Sequence, residues 1–125
     1  MNFLCDMVDE DERIDQLLDM ICDFNLRLIH KFLSFKPDCI GIPEDLGMQN
    51  SPMLTPEQFR RYIGPRYSRL TKPIKEAGIL IHEHCDGYIM DLLDDIIETG
   101  GTVLNLQDLV NGIDNIAKYV KGRDV

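Results

Sequence analysis

The sequence predicts an α/β fold, a partial (β/α)8 barrel with about three parallel strands and four helices. Short apolar segments at 39–42, 79–81 and 103–106 have the length and composition of buried strands. Apolar residues between these segments recur at three- and four-residue intervals, which is the spacing of helices. Strands that alternate with helices every thirty or so residues indicate βαβ units, a parallel sheet and right-handed crossovers.

The first predicted element is an N-terminal helix over residues 1–36. The acids of segment 9–12 lie near its start, where the helix dipole favours negative charge, and Pro37 ends it. Its apolar face comprises Ile14, Leu17, Leu18, Ile21, Leu28, Ile29 and Phe32.

The second predicted helix begins at Thr55, the N-cap, with Pro56 in the first helical position and Gln58 completing a capping box. We expect the prolines at 65 and 73 to break or kink it. Two further helices follow, one over 89–97 and closed by glycine, the other over 113–120.

Residues 37–125 thus supply the βα units, and the whole chain of 1–125 is interpreted as a single partial-barrel domain. A closed (β/α)8 barrel typically needs about 250 residues, so three strands cannot close one.

Composition excludes several classes of protein. The formal net charge of −9 leaves no basic surface that could neutralise nucleic-acid phosphates. The apolar runs are too short to span a membrane, and the N-terminus carries acids where an export signal carries Lys or Arg. Four cysteines without CxxC spacing are typical of free thiols, so we expect a cytoplasmic protein.

Polar residues follow each predicted strand, and active sites of parallel α/β sheets form at the carboxyl ends of strands. Glu44 and Asp45 follow the first strand, segment 82–86 follows the second, and Asn105 and Gln107 end the third. We expect Glu44 and Asp45 to act in catalysis, and His82, Asn105 and Gln107 to bind substrate.

His84 and Asp86 are the candidate metal ligands, because alternate residues of an extended segment share one face. A catalytic zinc needs about three protein ligands and an open position, and His82 or Glu44 would be the third. The alternatives are a buried His84 bonded to backbone and an exposed loop at His82 and Glu83.

Five segments together resemble the uroporphyrinogen decarboxylase superfamily. They are Glu-Asp-Leu-Gly at 44–47, Ser-Pro-Met-Leu-Thr-Pro-Glu-Gln-Phe-Arg at 51–60, Pro-Arg-Tyr at 65–67, His-Cys-Asp-Gly at 84–87, and the stretch 100–107. Their order and spacing match the superfamily from about residue 38 to about residue 123.

The resemblance implies a (β/α)8 barrel and one of two activities, decarboxylation in porphyrin biosynthesis or corrinoid-linked methyl transfer. The methyltransferases hold zinc through a His-x-Cys pair and a distant Cys; here His84 matches the histidine and Asp86 stands at the cysteine position. It therefore implies a metal-assisted methyltransferase with His84 and Asp86 on zinc, a small-molecule substrate and a corrinoid protein as partner. Asp is a harder ligand than thiolate, so the metal would be more Lewis-acidic.

Two alternatives stay open. A decarboxylase-type lyase would work without metal, with Asp45 or Asp86 stabilising a protonated pyrrole, but it needs N-terminal arginines, and Arg13 and Arg27 lie in a helical pattern. A catalytically inactive half-barrel would pair its open sheet edges and form a homo-oligomer.

Overall fold

Three parallel strands with helices packed on one face make up the computed structural model, which describes residues 3–125. The strands are β1 (Cys39–Glu44), β2 (Leu80–Cys85) and β3 (Val103–Leu106), in that spatial order. The predicted α/β partial barrel is confirmed. The helices are α1 (Phe3–Val8), α2 (Arg13–Leu33), α3 (the consecutive stretches Pro56–Gln58, Phe59–Ile63 and Gly64–Glu76), α4 (Leu93–Thr99, after a 3-10 turn at Met90–Leu92), α5 (Asp108–Asn111) and α6 (Ile113–Val120).

The sheet has a helix-facing side and an open side. Along β2, Ile81, Glu83 and Cys85 are buried, whereas Leu80, His82 and His84 are exposed or half-buried. On the helix-facing side the apolar core joins Ile81 to neighbouring β1 residues, to α2 and to α3. The open side corresponds to the interior of a barrel, and it carries the candidate site at its carboxyl edge.

Helix boundaries differ from the prediction at the N-terminus. The predicted single helix over 1–36 is two helices, because Glu10 has a left-handed backbone (φ 54°) that separates α1 from α2. The second of them stops at Leu33, and Lys36 (φ 52°) turns the chain before Pro37. Residues 1–2 lie outside the described part of the chain.

The last predicted helix, over 113–120, is confirmed as α6, and the short helix α5, which was not predicted, precedes it across Gly112 with φ 76°. The described residues therefore form six helices where four were predicted.

The α3 helix shows how local sequence and packing combine. Its N-cap is as predicted: the Gln58 amide donates to Thr55 Oγ1 (3.2 Å) and the Thr55 amide donates to Gln58 Oε1 (2.9 Å). The helix is not broken at either proline. A π-helical turn at Phe59–Ile63 precedes Pro65, and the α-helical stretch that follows continues through Pro73.

Ion pairs join α2 to α3 along their contact. The best-buried of the cations is Arg66, with a side chain 13% exposed, and it donates to the carboxylates of Asp15 (2.9 Å) and Asp19 (3.0 Å). The other pairs are Arg61 with Asp15, Arg69 with Asp19, and Arg69 with Asp23.

The outer face of α2 is apolar and exposed. The helix buries Ile14, Cys22 and Ile29, but much of its predicted apolar face lies in solvent. The exposed side chains of this apolar stripe are Leu17, Met20, Ile21, Phe24, Leu28 and Phe32. Among the helices of residues 3–125, none combines the length and apolarity that a membrane crossing requires.

Candidate functional site

Three side chains that can bind a metal meet where β1 and β2 end. Asp45, His84 and Asp86 each offer one ligand atom, and these three atoms lie within 4.8 Å of one another. Asp45 and Asp86 each follow directly after a strand, and the parallel register places Glu44 opposite Cys85, so their successors are neighbours. Both aspartates are exposed and His84 is half-buried, which leaves the group accessible from solvent.

The neighbouring strand orients His84. Its Nδ1 lies 2.7 Å from Asn105 Oδ1, across the β2–β3 pairing that sets these residues opposite each other. Because a carbonyl oxygen only accepts, Nδ1 carries the proton and the Nε2 lone pair is free; Nε2 lies 3.6 Å from Asp86 Oδ1. The hydrogen bond with Asn105 and the nearby carboxylates of Asp86 and Asp45 raise the pKa of His84.

Two glycines hold the loops after β1 and β2 together. The Gly47 amide donates to the Asp86 carbonyl (3.1 Å), and the Asp86 amide donates to the Glu44 carbonyl (3.2 Å). A Cβ on Gly47 would overlap the backbone of Gly87, and a Cβ on Gly87 would overlap the backbone of Gly47. Only glycine permits this approach, which keeps Asp45 and Asp86 at a fixed spacing.

The side-chain amides of Gln107 and Asn111, which follow β3, hydrogen bond to the loop after β2. Gln107 Oε1 accepts from the Gly87 amide (2.8 Å). Asn111, only 2% exposed, accepts from the Ile89 amide through Oδ1 (2.9 Å) and donates from Nδ2 to the Gly87 carbonyl (2.9 Å). Sequence reasoning missed Asn111, because an Asn before a glycine indicates only a helix end.

The sequence-predicted residues do not all meet. Asp45 joins His84 and Asp86, and it takes the place that the prediction gave to His82 or Glu44. His82 lies on the open side of the sheet two residues before His84, outside the cluster. Glu44 is half-buried on the helix-facing side, where it borders a cavity and interacts with the Tyr67 hydroxyl.

The alternative of an exposed loop at Glu83 is wrong: Glu83 is a strand residue only 4% exposed. Thr99 Oγ1 donates to its Oε1 (3.4 Å), and its Oε2 has no hydrogen-bond partner among residues 3–125. Burial raises the pKa of Glu83 to about 7. Gly101 makes room for this carboxyl, since a Cβ there would overlap it.

The donor set fits a divalent cation. One imidazole and two carboxylates form a three-ligand site that leaves a position open, as catalytic zinc sites do. The hydrogen bond from His84 to Asn105 is the contact that typically orients a metal-bound histidine. Cys85 is turned away: its Sγ is buried and accepts from the Leu46 amide (3.3 Å), so the set lacks thiolate.

A family model described as uroporphyrinogen decarboxylase (URO-D) matches residues 1–124. No curated protein and no solved structure matches the chain at a significant level. The family match extends over both the strands and the helices that position the cluster. The chain belongs to the uroporphyrinogen decarboxylase family.

Proposed function

We propose that this domain takes part in metal-assisted methyl transfer together with a corrinoid. The observation that carries the proposal is the cluster of Asp45, His84 and Asp86 at the strand ends, with Asn105 on the far nitrogen of His84.

Each residue has a distinct part in this proposal. His84 offers Nε2, and Asp45 and Asp86 offer carboxylate oxygens, while Asn105 keeps the proton on Nδ1. A bound divalent metal such as zinc would supply Lewis acidity and lower the pKa of a coordinated methyl acceptor. Two hard carboxylates donate less electron density to a metal than thiolates do, so the metal stays more Lewis-acidic. The set therefore favours an oxygen acceptor such as a phenol. His82 lies on the same side of the sheet and would contact the substrate.

The decarboxylase alternative has less support. It needs arginines that are free to bind a tetrapyrrole with many carboxylates, and the two considered for this part in the sequence are engaged elsewhere. Arg13 is engaged with Asp11 in the loop before α2, and Arg27 stacks on the Phe24 ring on the outer face of α2. Turnover of a porphyrinogen by the purified protein would reverse this preference.

Metal content tests the site directly. We would purify the wild type, His84→Ala and His82→Ala without a polyhistidine tag and measure metals by plasma mass spectrometry. His82→Ala is the matched control, because it removes an imidazole from the same strand face outside the cluster. We expect about one metal ion per chain in the wild type and the control, and loss in His84→Ala. A wild type that holds no metal after incubation with zinc contradicts the proposed site.

Methyl transfer is tested with methylcobalamin as donor and a phenol or a thiol as acceptor. The methyl group leaves cobalt without its bonding electrons, Co(III) becomes Co(I), and the acceptor oxygen or sulfur binds the methyl and releases its proton. Loss of methylcobalamin absorbance under anaerobic conditions follows the step. We expect transfer with the wild type and not with His84→Ala. A metal-loaded wild type that transfers no methyl to either acceptor contradicts the corrinoid part of the proposal and leaves the metal site standing.

We also propose that the chain self-associates through the apolar stripe of α2. Six large apolar side chains on one exposed helix face form a surface that monomeric proteins rarely leave bare. We expect the mass from light scattering to rise with concentration, and Phe24→Glu to abolish the rise. A constant monomer mass for the wild type contradicts self-association.

A further inference from the structure

A cavity of about 430 Å³ lies on the helix-facing side of β1, between α1, α2, α3 and the segment after the strand. Its volume falls in the range of small-molecule pockets. The walls are mainly apolar and include Leu18, Leu46, Leu54, Ile63 and Leu70. Walls of this kind favour an apolar ligand body.

One end of this cavity is polar. Glu44 and Tyr67 border it, so a carboxyl group and a phenol hydroxyl face the same end of the cavity. Glu44 is half-buried there, so its carboxyl group is partly withdrawn from water. A carboxylate in such a place gains from a cation that can reach it through the cavity.

No Lys, Arg or His side chain of residues 3–125 forms an ion pair with Glu44. Arg66 also borders the cavity, but its guanidinium is engaged with Asp15, with Asp19 and with the Tyr62 carbonyl (3.0 Å). The polar end of the cavity is therefore anionic in character and lacks a counter-charge.

This cavity is separate from the metal cluster. Glu44 shares the helix-facing side of β1 with Ile40 and Ile42, whereas His84 lies on the open side of the sheet. Asp45 borders the cavity as well as belonging to the cluster, so the two sites adjoin at the end of β1.

We propose that the cavity binds a small primary amine with a compact apolar body, its ammonium paired with the Glu44 carboxylate. The apolar walls take the hydrocarbon part, and the charged hydrogen bond to Glu44 fixes its orientation. A neutral alcohol of the same shape gains only the apolar part of this binding. A carboxylic acid of the same shape meets like charge.

Three shape-matched probes test the charge requirement: phenethylamine, phenethyl alcohol and hydrocinnamate. Binding is followed by NMR of the protein's leucine and isoleucine methyl groups, with a chelator present so that the outcome is independent of the metal site. We expect the amine to bind with a Kd of about 1 mM or tighter. The alcohol should bind about tenfold more weakly than the amine, and hydrocinnamate more weakly still. Shifts should be confined to wall residues such as Leu18, Leu54 and Leu70.

Variants separate the charge from the enclosure. Glu44→Gln should weaken amine binding about tenfold and leave alcohol binding unchanged, while Leu18→Trp should fill the cavity and weaken both ligands. Tyr67→Phe keeps the carboxylate and should retain most of the preference for the amine. Equal binding of all three probes, no binding of any, or an unchanged amine affinity in Glu44→Gln would overturn the proposal. None of these outcomes bears on metal content, so this inference and the proposed methyl transfer fail separately.

Discussion

Carboxylates on α2 lie against arginines, whereas carboxylates at and beneath the ends of β1 and β2 lie against none. The pKa of Asp15 falls to about 2 because Arg61 and Arg66 hydrogen bond to it. The pKa of Glu83 rises to about 7 because it is buried, and burial raises the pKa of Glu44 as well. The same chemical group is thus stabilised as an anion in one region and destabilised as an anion in the other.

The difference separates scaffold from site. The chain has only 13 Lys and Arg against 22 Asp and Glu, so not every acid has a cation partner. Three arginines of α3 are placed on the acids of α2, where they fix one helix against the other. The acids at the ends of β1 and β2 have no arginine partner. A bound cation or amine would supply the positive charge that they lack.

Breaking the strand-end region should have the largest effect. In Gly47→Ala the new Cβ would overlap the Gly87 backbone, so the two loops must separate. We expect a loss of about 3 kcal/mol or more in the free energy of unfolding, together with loss of bound metal. Gly41→Ala is the control, because no atom lies within 4 Å of a Cβ there; it should change stability by about 1 kcal/mol or less. Urea unfolding measures both, and equal stabilities for the two variants would refute the close approach.

Most of the fold was predictable because its signals are local. The strands at 39–42, 79–81 and 103–106 are apolar runs between turn residues. The N-cap at Thr55 depends on only four consecutive residues, 55–58. The break at Glu10 was not predictable: a non-glycine residue with positive φ carries no compositional mark. The π-helical turn at Phe59–Ile63, which precedes Pro65, has no local sequence signal either.

Two of the three cluster residues followed from alternation along β2, which places His84 and Asp86 together. The same rule applied to β1 sets Glu44 on the side of Ile40 and Ile42, and so favours Asp45 as the third group. Alternation also sets Glu83 on the side of Ile81 and Cys85. Its burial was not predictable, because polarity predicts exposure and the space for its carboxyl group depends on Gly101 in the next βα unit.

A pH experiment sharpens the comparison at Glu83. Its pKa is raised from 4.5 to about 7, so between these values the unfolded chain ionises while the folded protein does not. Stability is therefore full below about pH 4.5 and is lost as the pH rises toward 7, by roughly 3 kcal/mol in all. Glu83→Gln should remove this dependence and be the more stable protein at about pH 8. Urea unfolding at about pH 5 and about pH 8 measures it, with the exposed Glu76→Gln as control. Parallel pH profiles for wild type and Glu83→Gln would contradict the raised pKa.

The α2–α3 ion pairs should differ by burial. Arg66→Ala leaves Asp15 and Asp19 without their best-buried partner and frees the Tyr62 carbonyl, so we expect a loss of about 2 kcal/mol. Arg69 is 46% exposed and its partner Asp23 is 54% exposed, so Arg69→Ala should cost less than about 1 kcal/mol. Thermal or urea unfolding of both variants distinguishes them. A larger loss in Arg69→Ala would show that exposure does not set the strength of these pairs.

The smallest expected effect is the pH dependence of Asp15, and it has the opposite sign to that of Glu83. Arg61 and Arg66 lower the pKa of Asp15 from 3.8 to about 2, so its contribution is present above about pH 4 and is lost as the pH falls toward 2. The difference in Tm between the wild type and Asp15→Asn should therefore be greatest near neutral pH and close in acid. The free energy that the Asp15 carboxylate contributes should stay below about 1 kcal/mol and decrease in salt, because Asp15 is about a third exposed. Asp114→Asn, an exposed change on α6, supplies the control. A gap that persists unchanged at about pH 2 would mean that Arg61 and Arg66 do not stabilise the Asp15 anion, and burial alone would then distinguish the two sets of acids.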